Sequence, residues 1–219
     1  MPYIWEQFYS YQPTKVQMPV TSYLGSRKRF FFSDLFIALS VLVLFAIFRN
    51  WGDFVLLASW VLVLVYMIVM RRFEAVSHLL LATVVSMIWV HYAKDYYAYQ
   101  QDFVKIFGMN SIPLMAWSLT LYGLYQVCNN YKFVRPIYNF LLFVLVFLFF
   151  GILFETVAYH LLNIRNTMTA NFPGLPICDC VHAPRWMQMI YFSLGPMYYF
   201  VIMAADRVTG TTGMKERRR

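Results

Sequence analysis

The sequence predicts an all-α, polytopic transmembrane helical bundle of about six spans, with both termini cytoplasmic. Of the 219 residues, 61% are hydrophobic and 13% are charged, whereas a soluble domain has about 25% charged residues. The apolar residues also fall into six stretches near the roughly 20 residues that a helix needs to cross a bilayer. Because open strands leave backbone groups unpaired in lipid, these stretches are expected to be helices.

Six spans are predicted from these stretches. They are Phe30–Phe48, Phe54–Met70, Ala75–Ala93, Ile112–Cys128, Ile137–Tyr159 and Met187–Ala205. The third and fourth contain several hydroxyl side chains and His78, which indicates that they face neighbouring helices more than lipid. The sixth contains Gly195-Pro196, a dipeptide typical of kinks.

The distribution of basic residues predicts the orientation. With the amino terminus inside, the inner segments hold 13 of the 18 lysines and arginines, as the positive-inside rule requires. An even number of spans returns the carboxyl terminus to the same side. Either the endoplasmic reticulum or a plasma or inner membrane fits this pattern.

The predicted spans divide the chain into three parts. These are a cytoplasmic aromatic and basic interfacial segment (1–29), a six-helix transmembrane domain (30–205) with an outer loop (165–186), and a basic cytoplasmic tail (206–219). In the first part, Ile4 and Phe8 lie four residues apart, which favours a short helix in the membrane interface or a tail packed on the bundle. The final Lys-Glu-Arg-Arg-Arg loosely resembles a retrieval signal of the endoplasmic reticulum, although a positive anchor explains it more simply.

The net charge of +8 does not indicate a nucleic acid partner. The basic residues form short clusters between apolar runs, which is typical of anchors at an anionic lipid surface. The sequence has no phosphate-binding loop, dinucleotide fingerprint or HExxH motif. A channel is disfavoured because no polar stripe runs through the membrane thickness.

A polar cluster is predicted at the outer end of the fifth span. The apolar stretch Ile137–Phe154 is about 27 Å long at 1.5 Å per residue, so Glu155 is placed near the outer edge of the hydrocarbon. On an ideal helix Glu155 and Tyr159 share one face, and His160 lies on the adjoining face with Thr156. Ionisable groups at this depth suggest a functional site.

The outer connection Arg165–Trp186 is expected to cover the bundle mouth. Its prolines and Gly174 prevent a helix over most of its length. It nevertheless carries apolar side chains that should be buried: Phe172, Leu175, Ile177, Val181 and Trp186. A stiff, apolar loop of this kind is expected to fold back as a lid.

The candidate site combines the helix end, the lid and the end of the third span. Glu155 and His160 are interpreted as catalytic acid or base partners, because both groups exchange protons. The candidate substrate-binding residues are His91, Tyr159, Asp179, His182 and Arg185. The competing interpretation pairs Glu155 with Arg165 or Arg185 and treats the histidines as ordinary interfacial residues. At the inner side, Asp34 is expected to form an ion pair with Arg29.

No metal or cofactor is assigned from the sequence. Cys178, Cys180 and His182 form a Cys-x-Cys-x-His pattern that suits zinc or copper, but the spacing is tighter than in usual zinc sites. A disulfide between the two cysteines is disfavoured because the ring would be small, so a lipidated or buried pair is expected. His78 and His91 lie about 140° apart on one helix, which does not suit two haems.

Two functions remain open. The first is an outer-leaflet polar site under the 165–186 loop that binds or processes a lipid-like or small apolar molecule from the membrane. The second is a non-catalytic subunit or assembly factor of a larger membrane complex, since the aromatic content of 20% offers large surfaces for partner membrane subunits. The sequence does not decide whether the protein is an enzyme.

Overall fold

The computed structural model describes residues 20–99, 103–131, 133 and 135–208, with side chains from residue 32 onward. Within these residues it contains six long helices and one short hairpin. The helices are α1 (Val20–Ile47), α2 (Gly52–Val69), α3 (Phe73–Ala93), α4 (Ser111–Asn129), α5 (Pro136–Thr156) and α6 (Arg185–Val208). The hairpin pairs β1 (Lys105–Ile106) with β2 (Met109–Asn110). The predicted all-α fold class is confirmed.

Each predicted span corresponds to one helix, and local chemistry sets several of the ends. α4 begins at Ser111 because the Asn110 side chain accepts a hydrogen bond (2.9 Å) from the backbone N–H of Ile112, a standard N-cap. α5 begins at Pro136, whose missing N–H is harmless in a first turn. α1 begins at Val20, earlier than predicted. The proposed interfacial helix around Ile4 and the tail from Thr209 lie outside the described residues.

Several helices are apolar enough for a bilayer. Among the described residues, four segments are long and apolar enough to cross one: Arg49–Val69, Phe73–Tyr96, Pro136–Leu161 and Arg185–Val208. α1 contributes the shorter apolar stretch Phe32–Ile47. The protein is therefore a membrane protein built as a helical bundle, while crossings by α1 and α4 stay predictions.

α4 lies at the centre of the bundle and packs most extensively on α3. Most of its residues are buried, and only the face with Ala116, Thr120, Gly123 and Val127 is half-buried, which explains why it can be less apolar than a lipid-facing helix. The hydroxyls of Thr83 and Ser118 lie 2.6 Å apart, and the indole N–H of Trp60 reaches both, at 3.1 and 3.2 Å. This node joins α2, α3 and α4, as the hydroxyl pattern predicted. Ser77 is an exception, because it is exposed.

The two ends of the bundle, which we call inner and outer after the predicted orientation, differ in their polar contacts. At the inner end, Arg72 binds Asp34 through two hydrogen bonds of 2.6 and 2.9 Å. Burial alone would lower the pKa of Arg72, but the bond to Asp34 and its charge more than offset this and raise it. The predicted ion pair of Asp34 is confirmed, and its partner in the described structure is Arg72, which the α2–α3 turn brings beside α1. The side chain of Arg29, the predicted partner, lies outside the described residues.

The outer end is held together by two side chains, Asn166 and Asp53, that bind backbone groups of neighbouring segments. Asn166 accepts a hydrogen bond from the N–H of Ala98 (3.0 Å) and donates to the carbonyl oxygen of Tyr96. The buried carboxylate of Asp53 accepts bonds from the N–H groups of Phe103 (3.0 Å) and Val104 (2.9 Å). The ends of α3 and α5 and the segment before β1 therefore meet at one end of the bundle, as the predicted topology requires for Glu155 and His91.

Candidate functional site

The carboxyl end of α5 changes from an α-helix to a π-helical turn at Val157–Leu161. Such turns often accompany functional sites. The turn adds about one residue to the helical repeat, so positions after it are rotated from the ideal α-helical arrangement. Glu155 lies just before the turn and Tyr159 and His160 lie within it. The shared face predicted for Glu155 and Tyr159 therefore needs correction, and the two have different neighbours.

Glu155 faces the interior of the bundle. Its carboxylate accepts a hydrogen bond of 2.6 Å from the hydroxyl of Tyr191 on α6. The Tyr191 ring packs edge-on against Trp117 of α4, with ring centroids 4.3 Å apart. This hydrogen bond joins α5 to α6 at the outer end. The alternative pairing of Glu155 with Arg165 or Arg185 does not occur in the described structure.

Two further tyrosines belong to this interior group. The hydroxyl of Tyr97 accepts a hydrogen bond of 3.0 Å from the indole N–H of Trp89, and Tyr97 stacks on Tyr99 with centroids 6.3 Å apart. Burial raises the pKa of both phenols above the ordinary value, and the nearby Glu155 carboxyl acts in the same direction. Both hydroxyls therefore stay neutral at physiological pH. We call Glu155, Tyr97, Tyr99 and Tyr191 the interior tyrosine–glutamate group.

The members of this group differ in how far they are accessible. Tyr191 is buried, whereas Glu155, Tyr97 and Tyr99 are half-buried at the end of the bundle. The group therefore presents a carboxylate and two phenols among aromatic rings, at positions that are not closed off completely.

A second group of polar side chains lies on the outside of the α5 end. The ring of Tyr159 stacks on His182 (4.6 Å between centroids), and the guanidinium of Arg165 lies 4.5 Å from the Tyr159 ring centroid. His160 donates from Nε2 to the carbonyl oxygen of Cys178 at 2.9 Å. His182 approaches the carboxylate of Asp179 at 3.4 Å. The structure thus brings together Tyr159, His160, Asp179 and His182 of the predicted site.

The predicted residues do not all converge. Within the described residues, no hydrogen bond, ion pair or ring contact joins Glu155 to His160, because they face the interior and the loop respectively. His91 is exposed at the end of α3, with its ring against Tyr92 at 5.9 Å. Arg185 is exposed at the first residue of α6. Their assigned roles stay predictions.

The 165–186 loop folds back on the bundle, but of the side chains expected to be buried only Val181 is fully so, whereas Phe172 and Trp186 are exposed. Cys180, Val181 and Ala183 are buried, and Gln188 of α6 donates to the carbonyl oxygens of Pro173 (3.1 Å) and Val181 (3.0 Å). Ile177, which was expected to be buried, is 90% exposed. The loop turns at Leu175, whose carbonyl oxygen accepts from Cys178 and Asp179, and this turn directs Ile177 outward.

Cys178 and Cys180 form a disulfide, with 5.1 Å between their Cα atoms. The expectation of a lipidated or buried free pair is therefore wrong. The sequence argument weighed the size of the ring but not the backbone, which adopts left-handed conformations at Asp179 (φ 42°) and Val181 (φ 54°). While the sulfurs are joined, neither is a thiolate, so the pair offers no thiolate ligand to a metal.

Sequence reasoning missed three of the four interior residues. The sequence does not distinguish Tyr97, Tyr99 and Tyr191 from ordinary interfacial tyrosines, which are frequent at membrane boundaries. The only signal in the sequence was their position at predicted span ends near that of Glu155. It also missed a group at the inner end, where ligand-type atoms of Glu74, His78 and Asp206 lie within 4.8 Å of one another.

Comparisons with known proteins do not add to this description. No protein-family model, no curated protein and no solved structure matches the chain. The site must therefore be interpreted from its own chemistry.

Proposed function

We propose that the outer end of the bundle binds a small, largely apolar molecule that carries a polar group, such as a membrane lipid or a lipid-like compound. The observation that carries this proposal is the Glu155–Tyr191 pair, in which a half-buried carboxylate is held by a buried tyrosine among aromatic rings. Binding sites for such molecules are mostly apolar with a few oriented polar groups.

The chemistry of the group fits a hydroxyl or carbonyl on the ligand. Glu155 has a second carboxylate oxygen besides Oε1, which takes the bond from Tyr191. The neutral hydroxyls of Tyr97 and Tyr99 can donate or accept. Glu155 is thus the residue that we assign to the ligand's polar group, for carriage or for proton transfer.

The loop supports the site from outside. His160 and His182 contact the carbonyl oxygens of Cys178, Phe172 and Asp179, so they hold the loop in place over the end of α5. Under this proposal His160 acts by positioning the loop. Tyr159 and Asp179 contact His182 on the outside of the α5 end and belong to the same polar group as the two histidines.

The test compares the lipid content of purified variants. Protein extracted in mild detergent is expected to retain a lipid-like molecule detectable by mass spectrometry, and Glu155→Gln and Tyr191→Phe should each lose about tenfold of it, since each removes a polar contact in a buried site. Asp95→Asn, an exposed carboxylate at the same end, is the matched control. Equal retention in all four proteins would contradict the proposal.

A second function has an observation of its own. Phe107, at the tip of the hairpin, is 84% exposed, and Ile177 is 90% exposed, which are unusual positions for large apolar side chains at the end of a bundle. They favour a partner membrane subunit at this end. A native mass in mild detergent equal to a lone chain would count against that role.

A further inference from the structure

We propose that the Cys178–Cys180 disulfide is a thiol–disulfide exchange site, which reacts with thiol compounds at the outer end of the bundle. This inference does not depend on the interior group binding a ligand. It rests on the place of the disulfide in the chain, the unequal burial of its two sulfurs and the contacts around it.

The bond contributes little to holding the fold together. A structural disulfide stabilises mainly by closing a long loop in the unfolded chain, and its effect falls as the loop shortens. Cys178 and Cys180 are separated by two positions. The same turn is already closed by the hydrogen bond (2.8 Å) from the N–H of Leu175 to the carbonyl oxygen of Cys180. A bond that adds so little stability points to a different use.

The backbone around the bond is strained. Asp179 lies between the cysteines with φ 42°, and Val181 follows with φ 54°. The left-handed region is unfavourable for a β-branched residue such as valine, and such strain is often stored at functional sites. Opening the disulfide frees Asp179 and Val181 to relax, which favours reduction.

The two sulfurs are arranged unequally, as an exchange reaction requires. Cys178 is half-buried and reachable, whereas Cys180 is fully buried. The hydroxyl of Thr156 lies 3.7 Å from the sulfur of Cys180. This hydroxyl donates a hydrogen bond to the carbonyl oxygen of Ile152 at 2.7 Å. By rotating about its C–O bond, it can donate instead to a thiolate that forms at Cys180. An incoming thiolate therefore attacks Cys178, and Cys180 is the leaving sulfur.

The reaction balances in two steps. The thiolate of the reactant bonds to Sγ of Cys178, the Cys178–Cys180 bond breaks, and its electron pair leaves on Cys180, which takes up a proton. A second reactant thiolate then attacks the reactant's sulfur in this mixed disulfide and releases Cys178. The protein pair gains two electrons, and two thiols become one disulfide. The reverse reaction with a disulfide compound restores the bond.

The first experiment follows the native protein. Full-length protein in detergent is equilibrated with glutathione buffers of increasing reduction, quenched and alkylated with N-ethylmaleimide. We expect one label, on the half-buried Cys178, to appear in the intact mass while the thermal midpoint is unchanged, with the buried Cys180 and Cys128 unlabelled in the folded protein. Reduction that occurs only on unfolding, or cysteines that are labelled without any reductant, would overturn the proposal.

The second experiment separates the two sulfurs. Cys180→Ala leaves the half-buried thiol and Cys178→Ala leaves the buried one. With glutathione disulfide, we expect the first variant to form a mixed disulfide about tenfold faster, because exposure governs thiol reactivity. Equal rates would refute the assigned order of attack. Repeating the reaction with a disulfide-linked peptide distinguishes a polypeptide reactant from a small thiol compound. Faster exchange with the peptide than with glutathione disulfide indicates a polypeptide.

Discussion

Buried hydroxyl groups of the helices differ in whether they have partners. Ser118 is fully buried and lies 2.6 Å from Thr83 and 3.2 Å from the indole nitrogen of Trp60. Ser86 is equally buried, but its hydroxyl has no hydrogen-bond partner in the described structure. A polar group that is buried without a partner costs stability, and one that has partners contributes to it.

The two serines therefore form a matched pair for mutation. Ser118→Ala should lower the free energy of unfolding by about 1 kcal/mol, the usual size of an interhelical hydrogen bond in a membrane protein. Ser86→Ala should leave stability unchanged or raise it. Thermal unfolding in detergent measures both, and an equal loss in the two variants would show that the Trp60–Thr83–Ser118 node is not a stabilising contact.

Helix α6 approaches α5 closely where a glycine removes the side chain. A Cβ atom at Gly195 would overlap the ring of Phe147, which is itself fully buried. Gly151, on α5, has open space where its Cβ would be. The contact between α5 and α6 holds Tyr191 opposite Glu155, so the glycine also positions the interior tyrosine–glutamate group.

Gly195→Ala is expected to destabilise the protein by about 1–3 kcal/mol through overpacking. Gly151→Ala should be neutral or slightly stabilising, because alanine has the higher helix propensity and its Cβ would contact no neighbouring atom. Both can be compared by thermal unfolding and by lipid retention. If the two alanine variants unfold at the same temperature, close packing at Gly195 is not what fixes α6.

At the scale of the whole molecule, residues from distant parts of the sequence meet at each end of the bundle. Arg49 donates to the carbonyl oxygen of Leu162 at 3.3 Å, and Thr167 bonds through its N–H to Ala98 at 2.8 Å. At the opposite end, Arg72 binds Asp34. Under the predicted orientation, the two ends lie on opposite faces of the membrane, with the disulfide and Glu155 on the outer face.

Sidedness can be measured with a membrane-impermeant maleimide on intact cells. Asp95→Cys, at the outer end, should be labelled from outside or from the organelle lumen, whereas Arg135→Cys, at the start of α5, should be labelled only after permeabilisation. Both native side chains are exposed, so neither substitution should disturb the core. Labelling of both from one compartment would contradict the predicted orientation.

The sequence predicted the helices far better than the site. Apolar stretches and proline positions place α2 and α5 within a few residues, because lipid demands long apolar helices. The site depends on contacts between segments that are remote in sequence, such as Tyr191 with Glu155, and no local pattern encodes these. The π-helical turn and the left-handed Val181 also depend on tertiary contacts that override local preference.

The central position of α4 has a consequence for biosynthesis. Because most residues of α4 are buried against protein and some of them are polar, such as Gln126, a newly made α4 gains less free energy from entering lipid alone than α2 or α5. Its partner α3 is already synthesised when α4 emerges from the ribosome. We therefore expect the two helices to enter the bilayer as a hairpin, and a chain lacking α3 to leave α4 exposed to cellular quality control.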